Sequence, residues 1–503
     1  MTLSKSQYIR GLQCHKSLWL LKNRPELREE PDRAQESLFD TGYSAGEAAK
    51  ELFPGGVEIE FDADNFKGML DKTKELIENG TEVIYEASFS VNGIFVMIDL
   101  LVKRDDFWDM YEVKASTEVK QYQLNDASIQ WHVVSQVIPL DKAYIVYIDK
   151  TYERLGDLEV DKLFKRKDVT EMLLEMQEQI EPNLEEMKEV LGGDMPDVDI
   201  GGHCSDPFGC DFKQHCWKHI PSPSVFNLYW MNWSKKFEMY YKGIISYQDI
   251  PKDQKLSFTQ QLQVSTARTK EPHINPDVIR SFVQEVEYPI NFFDFETFFE
   301  AIPRFSNQRP YQQIPFQYSL HILHEDGTLE HREFLADEHS DPRDELITKM
   351  LSDITERGSI IAYNQAFEKR MIRELATCDS NRSKELLALN ERFLDLIVPF
   401  RNGGYYHPDF NGSFSIKSVL PALFPGDPEL DYKKLGSVQN GGDAMDTFAK
   451  LHLLKYPSKR EAIRADLLAY CRLDTLAMVR IWEMLRQLVK VDILPVGDEI
   501  ACG

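Results

Sequence analysis

The stretch Asn291-Phe-Phe-Asp-Phe-Glu-Thr297 constrains the fold of this chain more than any other. Acidic and aromatic side chains alternate there. A β-strand sends successive side chains to opposite faces, so Asp294 and Glu296 share one face while Phe293 and Phe295 fill the other. Two carboxylates held side by side repel each other unless a cation lies between them. The pair therefore points to Mg²⁺ or Mn²⁺ with hard oxygen ligands, the alternative being two acids solvated on a strand edge.

Further acids follow in the same half. Ile361-Ala-Tyr-Asn-Gln-Ala-Phe-Glu368 reads as a buried strand running into a helix, and Tyr470-Cys-Arg-Leu-Asp-Thr475 lies on a long amphipathic helix. Spacing of i and i+4 brings Tyr470 and Asp474 to one helix face. In order and context these motifs resemble the DEDDy branch of the RNase H-like 3′-to-5′ exonucleases over residues 289–489. Phe414-Ser-Ile-Lys-Ser-Val-Leu-Pro421 looks like the Ser-Leu-Lys-type helix start of that family. The resemblance implies that Asp294, Glu296, Glu368 and Asp474 bind two metal ions for in-line phosphodiester hydrolysis and that Tyr470 orients the attacking water. A packed helix tyrosine is the alternative for Tyr470. The second motif ends in Glu368 where the family commonly has Asp, and Asp395 in Phe393-Leu-Asp-Leu396 is the other candidate for that role. Asn364 either positions the motif or touches substrate, or else caps the following helix.

The first half reads as a separate α/β unit. Strands are expected over 83–89, 94–102, 107–114 and 143–148, with helices around 42–52 and 128–137 and a charged helix over 169–191. Asp99 lies on one of these strands, and Glu112 and Lys114 share a face of the next. This resembles the PD-(D/E)XK restriction-endonuclease-like core of RecB-like nucleases. There Asp99 and Glu112 would bind metal, Lys114 would polarise the water or scissile phosphate, and Glu47 on the preceding helix would be a further ligand. Gln130 matches the start of that family's Gln-x-x-x-Tyr helix motif, which ends here in Val134; for Glu47 and Gln130 the alternative is a solvated helix face.

Cys204, Cys210 and Cys216 follow this core and Cys14 precedes it. Four soft ligands in a reducing compartment indicate a metal centre, and spacing wider than the usual zinc pairs favours iron–sulfur over zinc, with plain buried thiols as a third reading. The one-plus-three layout resembles the 4Fe-4S clasp of RecB-like and CRISPR-associated exonucleases, and closing so long a loop suffices for a structural role. Cys378, Cys471 and Cys502 show no such grouping and read as structural or incidental.

A chain of 503 residues exceeds one ordinary core, and Pro221-Ser-Pro-Ser224 marks a junction. The expected division is 1–220 for the first nuclease-like domain, 221–285 for a helical, aromatic connector and 286–503 for the second. Phe226 to Phe237 interleaves aromatics with lysines, as a single-strand stacking surface or an interdomain core would. A net charge of −25 argues against a passive nucleic-acid coat but not against an acidic enzyme with local basic patches. No apolar run reaches spanning length and the polar start lacks a signal core, so a cytoplasmic protein without disulfides is expected. Together the halves resemble a bacterial family joining a RecB-like iron–sulfur nuclease domain to a DEDD exonuclease domain. The implied partner is nucleic acid, expected to be DNA with single-stranded ends. Two active modules, one active module with the other as a binding platform, and a non-catalytic adaptor all remain open.

Overall fold

The computed structural model describes residues 3–490. Cys502 lies outside the described residues. Two compact units divide the chain: Met1–His219 with Glu300–Gln312, and Ile220–Phe299 with Gln313–Gly503. The expected connector, 221–285, thus falls within the second unit, while 300–312 falls within the first.

The first unit is built on strands β1 (Leu3–Ser4), β2 (Val57–Glu58), β3 (Val83–Val91), β4 (Ile94–Arg104), β5 (Phe107–Lys114), β6 (Leu140–Ile148) and β7 (Phe164–Asp168). They run in the order β2-β3-β4-β5-β6-β7, with β1 paired to β4. β3, β4 and β5 form an antiparallel meander, and β6 lies parallel to β5. Asn92 and Gly93, both at positive φ, make the two-residue turn between β3 and β4. Its helices include α1 (Lys5–Gln13), α2 (Arg33–Lys50), α3 (Phe66–Glu78), α4 (Gln121–Val134) and α5 (Thr170–Gly192). Leu76 of α3, Ile129 of α4 and Leu184 of α5 pack with Ile84, Ile98 and Met110 on one sheet face. Ala45 and Ala49 of α2 cover Tyr85, Leu100 and Tyr111 on the other. Burial on both faces explains why these strands read as nearly continuous apolar runs.

The second unit carries β8 (His273–Ile274), β9 (Ile290–Phe298), β10 (Ile314–Leu323), β11 (Leu329–Leu335), β12 (Ile360–Ala362), β13 (Phe393–Asp395) and β14 (Tyr405–Tyr406). Its main sheet has the order β11-β10-β9-β12-β13, and β8 pairs with β14 separately. β9 to β11 are antiparallel; β12 runs parallel to β9 and β13 parallel to β12. The helices that matter below are α6 (Trp233–Tyr241), α7 (Phe258–Thr269), α8 (Arg343–Asp353), α9 (Ala366–Cys378), α10 (Ile416–Leu423), α11 (Gly441–Leu451) and α12 (Pro457–Lys490). α11 and α12 pack on β9, α12 and α8 on β10. In the 221–285 segment, Leu228, Met239, Tyr247 and Val264 form a small core of their own. Among the described residues no helix is long and apolar enough to cross a membrane.

Candidate active site and metal centres

β9 is buried throughout except at Asp294, which is half-buried. Phe293 and Phe295 meet edge to face at 4.6 Å on the core side. The acids face a cleft of about 430 Å³ whose lining includes Asp294, Glu296, Glu368, Lys417, Tyr470 and Asp474. Glu368 reaches it from the first turn of α9, and Tyr470 and Asp474 from one face of α12. All four carboxylates named for this site in the sequence thus line one space.

Their electrostatics are unusual. Burial, followed by the charges of Asp474 and Glu296, drives Asp294 well above the ordinary carboxylate range. Burial and Asp474 do the same to Glu296. Burial pushes Glu368 up to about 8, and its Oε2 is buried without a hydrogen-bond partner. Asp474 is raised to about 6, burial prevailing over its hydrogen bond from Tyr432 and the charge of Lys417. Among the described residues no lysine or arginine forms an ion pair with any of the four. Lys417 hydrogen-bonds the Gln439 carbonyl and lies over the rings of Tyr432 and Tyr470, at 5.3 and 5.1 Å from their centres. Buried charges in this number cost several kcal/mol each unless they are paired or coordinate metal.

Asp395, the other candidate for the second-motif role, is occupied otherwise: its Oδ1 accepts the Asn364 and Ile397 backbone N–H groups at 2.8 and 3.2 Å. Asn364 sits in the left-handed region at φ 74°, and the N-cap position of α9 belongs to Gln365. Asn364 therefore shapes the turn before Glu368 and does not cap the helix. Two contributors had no sequence signal. Tyr432 donates its hydroxyl to Asp474 Oδ1 at 2.5 Å. Cys471, read above as structural or incidental, is fully buried with Sγ 3.9 Å from Asp294 Oδ2, and it completes with Asp294 and Glu296 a trio of ligand atoms within 4.8 Å of one another. Its i, i+3 relation to Asp474 on α12 puts it there.

In the first unit, Glu112 and Lys114 leave β5 on one face and meet α4. Lys114 Nζ donates to Glu112 Oε1 at 2.6 Å and to Asp126 Oδ2 at 2.5 Å. Lys5, brought in by the β1–β4 pairing, donates to the same Glu112 oxygen at 2.8 Å and lies 3.5 Å from Asp126. Gln130 is buried, not on a solvated face, and donates to Glu112 Oε2 at 2.6 Å. Asp99 Oδ2 accepts the Val113 N–H at 2.6 Å. Burial raises Glu112, but Lys114 and Lys5 outweigh it and hold the carboxyl low. Asp99 lacks such a contact, and burial with the Glu112 charge pushes it up to about 8. Glu86, at φ 56° in β3, is raised to about 7 by burial and Glu112. Glu47 is exposed on α2 and pairs with Lys50, outside this hydrogen-bonded group. Lys5, Glu86 and Asp126 were missed; only Asp126 had a signal, standing four residues before Gln130 on one helix face. A cleft of about 550 Å³ opens on Lys5, Lys114 and Asp126, with Arg10 and Arg28 on its wall.

Cys14, Cys204, Cys210 and Cys216 line a single small cavity of the first unit. The four are free thiols. Burial, then the nearby Cys210 and Cys204, raise Cys14; burial, Cys210, Cys204 and Cys14 raise Cys216 against Lys16.

Comparison with known proteins adds two findings. Residues 291–415 match a family described as a domain of unknown function, DUF2779. That stretch includes Asp294, Glu296, Glu368 and Asp395 but ends before Lys417, Tyr432, Tyr470 and Asp474. An uncharacterized protein of Mycoplasma genitalium is similar at 26% identity over 218 residues, covering 40% of this chain. The chain spans about a third of that relative's length, 32%.

Proposed function

We propose that this chain is a metal-dependent nuclease whose second unit is an RNase H-like, DEDD-type exonuclease module and whose first unit is a PD-(D/E)XK module. The observation that carries the reading is the convergence of Asp294, Glu296, Glu368 and Asp474 on one cleft without a paired cation. The donors fit Mg²⁺ or Mn²⁺: hard carboxylate oxygens, one of them, Glu368 Oε2, buried with nothing to bind. Support also comes from the sheet, in which three antiparallel strands are followed by two strands parallel to the first in the order 3-2-1-4-5. The first unit's meander and helix crossover, carrying Asp99, Glu112 and Lys114, support the second assignment in the same way.

Bound divalent ions would supply a hydroxide nucleophile and stabilise the leaving oxygen of a phosphodiester. The chain's own groups do the rest. The four carboxylates would hold the ions, Tyr432 and Tyr470 hydrogen-bond and orient Asp474, and Lys417 in the cleft lining would add positive charge for a phosphate. For the four cysteines we favour a 4Fe-4S clasp. The four line one small cavity, as a shared centre requires, and their spacing along the chain is wider than that of the usual zinc pairs. A second reading has one specific observation in its favour: Lys5 and Lys114 already neutralise Glu112 and Asp126, as in a module that binds nucleic acid while the other cuts.

The test is cleavage of end-labelled single- and double-stranded DNA and RNA with Mg²⁺ or Mn²⁺, comparing wild type with Asp294→Ala and Lys114→Ala. Two working modules predict partial loss in each variant and full loss in the double variant. Loss confined to Asp294→Ala selects the second reading. Intact substrates with wild-type protein overturn both.

A further inference from the structure

The second unit displays one feature that its carboxylate cleft does not use. Trp230 is 86% exposed and sits in the left-handed region at φ 50°, where a bulky side chain is rarely found. Such outliers persist where the surroundings over-determine them. Here two buried glutamines of α7 clamp the preceding residue: Gln263 Oε1 accepts the Tyr229 N–H at 2.8 Å, and Gln260 Nε2 donates to the Tyr229 carbonyl at 2.8 Å. The Tyr229 ring is in turn held edge-on to Phe414 at 4.8 Å. The turn is thus rigidly built and presents an indole to solvent.

Trp230 forms one wall of a cleft of about 580 Å³ whose other lining includes Lys235, Lys242, Lys255, Met239 and Leu256. All three lysines are exposed, and Glu238, paired with Lys242, is the one acid in the lining. In a chain of net charge −25, a pocket with three lysines against one acid is a local inversion of sign.

We propose that the Trp230 cleft binds single-stranded nucleic acid, a base stacking on the indole and the flanking phosphates lying on Lys235, Lys242 and Lys255. This rests on the nuclease reading above and adds to it a binding site outside the carboxylate cleft. Stacking is sequence-tolerant because every base offers a π-face, and lysines at the sides favour a polyanion. The cleft suits a strand whose bases are free to leave the stack, not a paired duplex.

The test uses the full chain carrying Asp294→Ala and Lys114→Ala, in EDTA, so that neither carboxylate cluster cuts or holds metal. Fluorescein-labelled dT15 and rU15 are titrated by anisotropy over a range of salt, with a blunt duplex and poly-glutamate as controls. Adding Trp230→Ala weakens single-strand binding roughly 10-fold or more, while Trp230→Phe restores most of it. Replacing Lys235, Lys242 and Lys255 together by Ala lowers the salt slope by about 2. Circular dichroism and melting of each variant match the parent, since the changed side chains are exposed. Unchanged affinity in Trp230→Ala, equal binding of poly-glutamate, or no binding of either oligonucleotide overturns the proposal. If the wild-type chain with Mg²⁺ or Mn²⁺ cuts nucleic acid while Trp230→Ala binds normally, this cleft assignment falls and the nuclease reading stands.

Discussion

The two carboxylate clusters differ in where their positive charge comes from. In the first unit Glu112 and Asp126 each touch two lysines, Lys5 and Lys114, at distances between 2.5 and 3.5 Å. In the second, none of Asp294, Glu296, Glu368 and Asp474 has an ion pair among the described residues, and Lys417, whose charge acts on Glu296 and Asp474, makes its contacts with a carbonyl and two aromatic faces. Burial costs both clusters desolvation energy; in the first, Lys114 and Lys5 outweigh it at Glu112 although Asp99 and Glu86 stay raised, and in the second no ion pair among the described residues offsets it. The lesson is that pairing with lysines returns part of the desolvation cost from within the chain, whereas an unpaired cluster is held at the fold's expense, which is what makes it the proposed cation site.

That contrast can be broken or sharpened in four ways. The largest effect is expected on cleavage. Asp294→Ala removes a direct ligand and, measured in the Lys114→Ala background so that only the second unit cuts, should lower divalent-dependent cleavage by more than the roughly 10–100-fold typical of losing an outer partner. Equal losses from Asp294→Ala and Lys114→Ala would erase the distinction between the clusters. Next, Tyr432→Phe deletes the hydroxyl on Asp474 and should reduce the rate or Mn²⁺ affinity about 10–100-fold with the melting temperature unchanged. An unaltered rate and affinity would make Tyr432 a packing residue only.

The third test compares neutralised acids in the metal-free protein, by urea unfolding in EDTA at pH 8. Glu112→Gln breaks a buried pair and should cost about 3 kcal/mol. Glu368→Gln removes a buried charge that no cation meets and should stabilise, by on the order of 1 kcal/mol. Changes of the same sign would contradict the contrast.

The smallest effect is on pH dependence. Glu368 and Asp474 have folded values of about 8 and about 6, above those of ordinary carboxylates. Raised acids bind protons more tightly in the folded state, so their favourable contribution is full below about pH 4 and is lost as pH climbs through 6 to 8. Asp99 and Glu86 of the first unit, raised to about 8 and about 7, act in the same direction, so metal-free protein should lose stability over that window. Mn²⁺ binds the deprotonated form, so its stabilisation, measured by differential scanning calorimetry, should be larger at pH 8.5 than at pH 6. An equal gain at both pH values would mean that protons and Mn²⁺ do not compete for these carboxylates.

Much of this arrangement was legible in the sequence. The alternation around Asp294 named the strand and its acidic face, and the strands expected over 83–89 and 94–102 form the β3–β4 hairpin. What escaped had physical reasons. α4 begins at Gln121, earlier than the expected residue 128, because it is buried nearly all round and has no amphipathic stripe to detect. β7, Phe-Lys-Arg-Lys-Asp, is an edge strand defended by charge and reads as loop. Lys5 and Tyr432 lie 107 and 42 residues from the acids they contact, so only the tertiary fold joins them. Cys471 was set aside because cysteine at such a site has no sequence pattern, although its place between Tyr470 and Asp474 was in plain view.

The central claim, that the second unit's carboxylates are arranged to hold divalent cations, is tested most directly by counting Mn²⁺ bound to the metal-stripped protein by electron paramagnetic resonance at pH 8. The account predicts tight Mn²⁺ binding in wild type and in Lys114→Ala, with the second unit's share of those ions lost in Asp294→Ala. An Mn²⁺ count in Asp294→Ala equal to that of wild type, or a wild-type chain that binds no Mn²⁺, would contradict it.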